Sequence, residues 1–428
     1  MQTPVTTYLD DIYECCLDNR SGERADYIRE LAEADPEPFA IALCTPDGTQ
    51  YSAGDALREF TIQSISKPFA YALALRDRGF EAVNAAVDVE PSGDAFNEIS
   101  LDEHTGRPEN PMINIGALTT HALIGGPDAS AAQRSALIVE GLSQFAGREL
   151  TVDEGACASE LEDAWRNLAL AALMRAAGKI EDDPDDVVLG YTRQCAVRVT
   201  VHDLSVMGMT LARGGVNPLT QERVVSPEIA QQVMAVMTSC GMYDAAGDWL
   251  SHVGIPAKSG VSGGILGALP GQVGIGTFSP RLDAFGNSVR GVQAFEQMSK
   301  DMGMHMMAIP APTINAIGQH CRTADGSKLV ALQGVLDFPT AEMALRRFAQ
   351  IPPGSDDVII DLTLVPSIAQ AGAKMLLTGM RSLTAEGHGI VIVDPHQRLT
   401  AGEDQVTGLR RLDSRPRGAL TAAEAPTG

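Results

Sequence analysis

The chain has 428 residues, 44% hydrophobic and 20% charged, an ordinary globular balance with room for two or three domains. Its 32 basic and 55 acidic side chains give a formal charge of −23, which argues against a general binder of nucleic acid or anionic membranes, since phosphates would be repelled. Seven scattered cysteines without Cys-x-x-Cys spacing and eight dispersed histidines set aside a disulfide framework and a zinc site.

In chain order, the N-terminal MQTPVTTYLDDIYECC lacks a basic region followed by an apolar core. No signal peptide is expected, and no run of about 18 apolar residues suggests a membrane span. With unpaired thiols this predicts a cytoplasmic protein. Residues 5–34 place Tyr8, Ile12 and Cys16, then Tyr27, Ile28 and Leu31, at helical spacing. Phe39–Cys44 is a buried-strand run, Pro46-Asp47-Gly48 a turn, and Thr49–Ala53 the returning strand. Phe60–Arg76 begins with short-strand material and continues from Pro68 as a helix. Residues 77–150 read as helical pieces broken by loops, among them the long polar loop Glu98–Ala117. Helices are expected over 130–146 and 151–177, an acidic turn at Asp182–Asp186, and helices over Val199–Arg213 and Pro227–Thr238, with Thr200 and Ser226 as N-caps.

The pattern then changes. Lys258–Gly264 is followed by two strand-like runs, Gln272–Ser279 and Asn287–Gly291, and a helix over Gly291–Met302. Strands at both ends of a helical block predict a sheet assembled from both chain ends with an inserted helical lobe. Pro310-Ala-Pro312 reads as a linker. Beyond it, strands Lys328–Gly334, Asp357–Val365 and His388–Pro395 alternate with helices Thr340–Ile351 and Ala371–Ala385, which predicts a small α/β domain. Residues 401–428 are polar and rich in Pro, Gly and Ala, a poorly ordered tail.

Ser64-Ile65-Ser66-Lys67 sits where a helix starts. The spacing puts Lys67 about one turn beyond Ser64, within reach of its hydroxyl. A serine hydroxyl needs a neighbouring base, and a lysine serves only if its pKa is pushed down. Alone, such a tetrapeptide reads more readily as a capped helix with a solvated lysine. Lys258-Ser259-Gly260 changes the balance. A cation on an edge strand, with glycine allowing close backbone approach, is what an acyl-transfer site needs opposite its serine, and Ser-x-x-Lys followed by Lys-[Thr]-Gly marks penicillin-recognising enzymes. Here Ser259 stands in place of Thr.

Together with Gln63–Pro68, Asn110–Ala117, Ser159-Glu160, Arg166-Asn167, Gly190–Cys195, Gly241–Asp244 and Lys258–Gly264, the chain resembles the serine-dependent glutaminases. That family has an α+β, β-lactamase/transpeptidase-like fold and hydrolyses L-glutamine to L-glutamate and ammonia. The resemblance implies Ser64 as nucleophile, Lys67 as its base and Tyr191 as proton shuttle to departing ammonia. Asn114, Glu160, Asn167, Tyr191, Tyr243 and Val261 would line the substrate pocket, with the Val261 and Ser64 N–H groups as oxyanion hole and Lys258, Ser259 and Gly260 in support. No cofactor or metal is implied, and a homo-oligomer (dimer or tetramer) is. Each residue has a plainer reading: Glu160 and Asn167 as a solvated helical stripe, the tyrosines as core, Asn114 as a loop cap, Lys258 as structural. Ser66 is expected to pack or cap, and Cys195 and Cys240 to be small buried hydrophobes.

Residues 318–400 resemble a STAS domain, the sulfate-transporter and anti-sigma-factor-antagonist module, through Gly334–Asp337, Val358–Leu362 and Val365–Gly372. Phosphorylatable members carry Asp-Ser-Ser-Gly or a close variant at the helix start. Ala369, Gln370 and Ala371 hold those positions here and offer no hydroxyl, so a phosphorylation switch is not expected. The predicted organisation is a catalytic domain over 1–311 and a STAS domain over 318–400. Two rival functions stay open at this point: a β-lactam-recognising hydrolase, and a glutamine-sensing regulatory protein acting through its STAS domain.

Overall fold

The computed structural model describes residues 4–92, 101–102, 104–308, 317–323, 326–399 and 406–414. The expected Pro310–Pro312 linker and most of the expected tail lie outside them. The chain divides into two units, Met1–Ala308 and Ile309–Gly428.

In the first unit α1 (Pro4–Leu17) and the single turn α2 (Arg29–Ala32) precede the hairpin β1 (Ala40–Cys44) and β2 (Gln50–Gly54). The short β3 (Phe60–Thr61) leads through a 3-10 turn at Gln63–Ser66 into α3 (Lys67–Ala86). The helical lobe follows as α4 (Asn114–Leu123), α5 (Ala131–Ala146), α6 (Glu154–Glu162), α7 (Trp165–Ala176) and α8 (Pro184–Cys195). After β4 (Arg198–Val199) come α9 (Val201–Ala212), α10 (Pro227–Cys240) and α11 (Ala246–His252). The unit closes with β5 (Ala257–Ser259), β6 (Gly264–Leu269), β7 (Val273–Phe278) and α12 (Val289–Met302).

Strands from both ends of this unit form one antiparallel sheet in the order β2-β1-β7-β6-β5, with Ala40 opposite Phe278 across the join. This is the predicted α+β arrangement. The apolar helix α9 crosses one face, started by the capping box of Thr200 and Asp203, and α12 lies against the other. The crossing is so close that the strands must lack side chains there. A Cβ on Gly274 would sit 2.0 Å from the Ser205 carbonyl oxygen, and one on Gly276 2.4 Å from that of Val201. The glycines of β6, sequence GILGAL, answer to other neighbours: a Cβ on Gly267 would sit 2.5 Å from the Phe295 ring of α12 and one on Gly264 2.7 Å from the Ile65 side chain, and so glycine-rich a strand escapes detection by strand propensity.

Several expectations are corrected. Asn287–Gly291 is not a strand, because the Ser288 hydroxyl accepts the Gly291 N–H and caps α12. The acidic stretch at 182–186 is the start of α8, capped by Asp183 with Pro184 in its first turn, where proline costs no hydrogen bond. The helix expected over 151–177 breaks near Asp163 into α6 and α7. The loop expected to run to Ala117 ends earlier, since α4 begins at Asn114.

The second unit contains β8 (Ile317–Arg322), β9 (Lys328–Gln333), α13 (Phe338–Phe348), β10 (Val358–Leu364), α14 (Gln370–Ala385), β11 (Ile390–Val393) and β12 (Arg410–Leu412). The sheet order is β12-β11-β10-β9-β8, parallel except for β8. Val330, Ile360 and Ile392 meet Phe348, Leu376 and Met380 of the helices, while Leu329, Ile359 and Val391 cluster on the opposite side. Burial on both sides explains the unbroken apolar strand sequences. β12 corrects the expected tail, for residues 410–412 form the outermost strand beside β11. At the start of α14 the exposed Ala369 caps with no side-chain hydrogen bond, and a Cβ on Gly372 would sit 2.0 Å from the Leu336 carbonyl oxygen.

The α9–sheet contact generates a stability prediction. Gly274→Ala should destabilise the protein by about 1–3 kcal/mol through overpacking, whereas Gly247→Ala, with nothing within 4 Å of the new Cβ, should leave the melting temperature unchanged or slightly higher. Thermal unfolding followed by circular dichroism checks both.

Candidate active site

The turn joining β3 to α3 places Ser64 and Lys67 at the centre of the first unit. Gln63 holds a left-handed φ of +49°, an uncommon conformation for a residue with a side chain. The 3-10 turn runs directly into α3, so Ser64 and Lys67 lie about one turn apart. Ser64 is 8% exposed and Lys67 is fully buried. The Lys67 amine donates to the Met112 carbonyl oxygen at 3.1 Å and to Asn114 Oδ1 at 2.7 Å. Asn114 Nδ2 in turn donates to Asn167 Oδ1 at 3.2 Å, which ties α3, α4 and α7 together.

Burial pushes the Lys67 pKa down to about 8, against the opposing pull of Cys195 and Glu160. Glu160 is pushed up to about 7, again chiefly by burial, opposed by the hydrogen bond from Gln63 Nε2 (3.4 Å) and by Lys67. Near neutral pH both groups stand close to the point of losing a proton, a condition suited to acid–base chemistry.

A cavity of about 270 Å³ opens above Ser64, lined by Asn114, Glu160, Asn167, Tyr191 and Val261 among others. It is just below the usual range for drug-sized ligands and fits a small metabolite. A larger cavity of about 1250 Å³ lies along α5 and the outer side of α8 and contains none of these groups. Six of the seven expected binding residues therefore meet in one place. The seventh, Tyr243, reaches it through a hydrogen bond with the Ser64 side chain, and its hydroxyl donates to the Ser259 carbonyl oxygen at 3.3 Å.

The edge strand β5 approaches the Ser64 turn as expected. A Cβ on Gly260 would lie 3.1 Å from the Ile62 carbonyl oxygen, so glycine permits the approach. Lys258 is fully buried with its Nζ 3.9 Å from the Tyr243 ring centroid.

The structure adds detail to the sequence reading, with Ser66 and Cys195 buried as expected. The tyrosine that meets Ser64 is Tyr243; Tyr191 hydrogen-bonds Cys195 one helical turn away. Cys195 lines the cavity and bonds Tyr191 and Ser66, with burial raising its pKa to about 12. Ser66 belongs to a buried chain: Gln194 Nε2 donates to its hydroxyl (2.9 Å), which donates to the Gln63 carbonyl oxygen (2.8 Å), and His121 faces Gln194 Oε1 at 3.1 Å. Burial lowers the His121 pKa to about 4, so the ring is neutral. Tyr27 and Gln63 received no role from the sequence. Both line the cavity, and the Tyr27 hydroxyl donates to Gln63 Oε1 at 3.4 Å. Gln63 stands within a recognised motif, but Tyr27 stands out only by helical spacing with Ile28 and Leu31, which points to no function.

Comparison with known proteins bears on the chain as a whole. Residues 22–307 match the family model Glutaminase and residues 320–410 the STAS domain model. The chain is 48% identical over 396 residues to a glutaminase of Corynebacterium glutamicum, covering 92% of this chain and 95% of that one. A solved structure of Mglu in its glutamate form is 44% identical with a TM-score of 0.86, covering 93% of this chain and 100% of that one. A probable glutaminase of Bacillus subtilis superposes at 0.66, with 34% identity over 71% of this chain and 98% of that one. The chain belongs to the glutaminase family and carries a C-terminal STAS domain.

Proposed function

We propose that this glutaminase hydrolyses the side-chain amide of L-glutamine through a glutamyl ester on Ser64. The observation that carries the reading is the buried Lys67 amine, held by Met112 and Asn114 one turn from Ser64 and with its pKa lowered to about 8. A neutral Lys67 takes the Ser64 proton as Oγ attacks the amide carbon. The N–H groups of Ser64 and Val261 receive the developing oxyanion. The Tyr243 phenol, hydrogen-bonded to Ser64, is placed to pass a proton to departing ammonia. The proton that Lys67 took from Ser64 replaces the one the phenol has given to ammonia, which restores neutral Lys67. Water then attacks the ester, with Lys67 again as base, and its proton returns to Ser64 Oγ as glutamate leaves. This gives Tyr243 the shuttle role that the resemblance implied for Tyr191, which becomes part of the pocket wall.

Glu160 binds the substrate α-ammonium once ionised, and the Asn114 and Asn167 amides serve its polar edges. That Mglu has been solved in a glutamate form supports a pocket suited to this product. The β-lactam and sensor readings gain no support from these relatives. All seven cysteines are free thiols, which favours a reducing, cytoplasmic setting, and no helix among the described residues is long and apolar enough to cross a membrane.

Two outcomes test the mechanism. Ser64→Ala should reduce ammonia release from glutamine by at least about 1000-fold, with an unchanged circular dichroism spectrum; a purified variant that keeps turning over would remove the nucleophile assignment. The pH profile has a definite sign. Lys67 must be neutral and Glu160 ionised, so kcat/KM should rise with pH through ionisations near 7 and 8. Well below pH 7 the slope should approach two decades per pH unit. An optimum on the acid side of pH 6 would contradict these roles.

A further inference from the structure

Lys258 is a second buried amine, packed on the tyrosine that hydrogen-bonds Ser64, and the mechanism above leaves it without a chemical step. It lies on β5 with no exposed surface, its Nζ 2.9 Å from the Ser259 carbonyl oxygen and 3.9 Å from the centroid of the Tyr243 ring. The same carbonyl oxygen is 3.3 Å from the Tyr243 hydroxyl. One amine thus holds both the face of the ring and the carbonyl beside its phenol.

Tyr243 needs such a hold. It starts a three-residue 3-10 turn, Tyr243–Ala245, with a left-handed φ of +55° that a residue with a side chain adopts only under constraint. The chain reaches this turn through Gly241, where a Cβ would lie 1.8 Å from the Ala257 carbonyl oxygen, so backbone contact with β5 sets the turn's position. Packing does not complete the job. Tyr243 is only partly buried and borders two further cavities, of about 360 and 610 Å³, that leave open space beside it. Among the contacts that orient the phenol are those with Ser64, Ser259 and Lys258.

We propose that Lys258 is a positioning residue for glutamine hydrolysis, holding the Tyr243 phenol against the Ser64 hydroxyl through the ring face and the Ser259 carbonyl. The inference rests on Ser64 as nucleophile and adds to that assignment a residue that acts through Tyr243. Burial holds the Lys258 amine well below its ordinary range, and the charge of Lys67 lowers it further. Charged, Lys258 stacks on the ring as a cation; neutral, it still donates to the carbonyl.

A double-mutant cycle on the full chain tests this, with Lys258→Met, Tyr243→Phe and the pair assayed for ammonia release. If Lys258 acts through Tyr243, each single variant lowers kcat by about 30- to 300-fold with KM changed less than about threefold, and the pair is no slower than Tyr243→Phe within about twofold. Losses that multiply in the pair, or a kcat for Lys258→Met within about threefold of the parent, would overturn the proposal. Should Lys258→Met fail to give the parent's near-ultraviolet circular dichroism, Lys258→Gln, which can still donate to a carbonyl, takes its place and is judged by the same non-additivity. Ser64→Ala separates the two levels. Multiplying losses with an inactive Ser64→Ala remove only the role of Lys258, whereas an active Ser64→Ala removes the nucleophile assignment beneath it.

Discussion

The burial of one lysine amine is the constraint on which the catalytic unit depends. Lys67 enters the core at the start of α3 with no contact with solvent, and two oxygen acceptors, Met112 O and Asn114 Oδ1, are supplied to it from the segment leading into α4. A buried charge carries a large desolvation cost, so the protein resolves it by lowering the pKa. The cost is also the source of function, because an amine that sheds its proton easily can draw one from a serine. Fold and chemistry meet at this residue: the acceptors that make its burial tolerable also tie α3, α4 and α7 into the walls of the substrate cavity.

Around that centre the structure assembles polar groups in layers. Ser64 stands about one turn before Lys67 and hydrogen-bonds the Tyr243 phenol, with β5 passing close by because Gly260 has no side chain. Gln63, strained at its backbone, joins Tyr27 and Glu160 across the cavity, while Ser66, Gln194 and the neutral His121 brace the same turn from behind. Satisfied buried networks of this kind rigidify the groups they contain. Both tyrosines near the serine are anchored, Tyr191 to Cys195 and Tyr243 to Ser259 and Lys258.

Much of this was legible in the sequence because the chemistry is local. Ser64 and Lys67 declare themselves by spacing, Lys258-Ser259-Gly260 by composition, and the order of strands and helices by period. What escaped depends on tertiary contact. The α9 contact requires glycines in β7, while contact with Phe295 and Ile65 requires them in β6, which is thereby depleted of the residues that mark a strand. Ser288 and Asp183 looked like parts of a strand and a turn until their capping bonds were visible. Which of two tyrosines touches Ser64 turns on the unusual backbone of Tyr243, which no spacing encodes. In the second unit the missing hydroxyls at Ala369–Ala371 were plain, whereas β12 is too short and polar to stand out before its pairing with β11 is seen.

The claim beneath all of this is that Lys67 loses its proton near neutral pH. A nuclear magnetic resonance titration of 13Cε-labelled lysine, with the Lys67 signal assigned by its loss in Lys67→Met, measures that directly. The account predicts a midpoint about 8. A midpoint near 10.4, the value of a solvated lysine, would contradict it, for the amine beside Ser64 could then no longer act as its base.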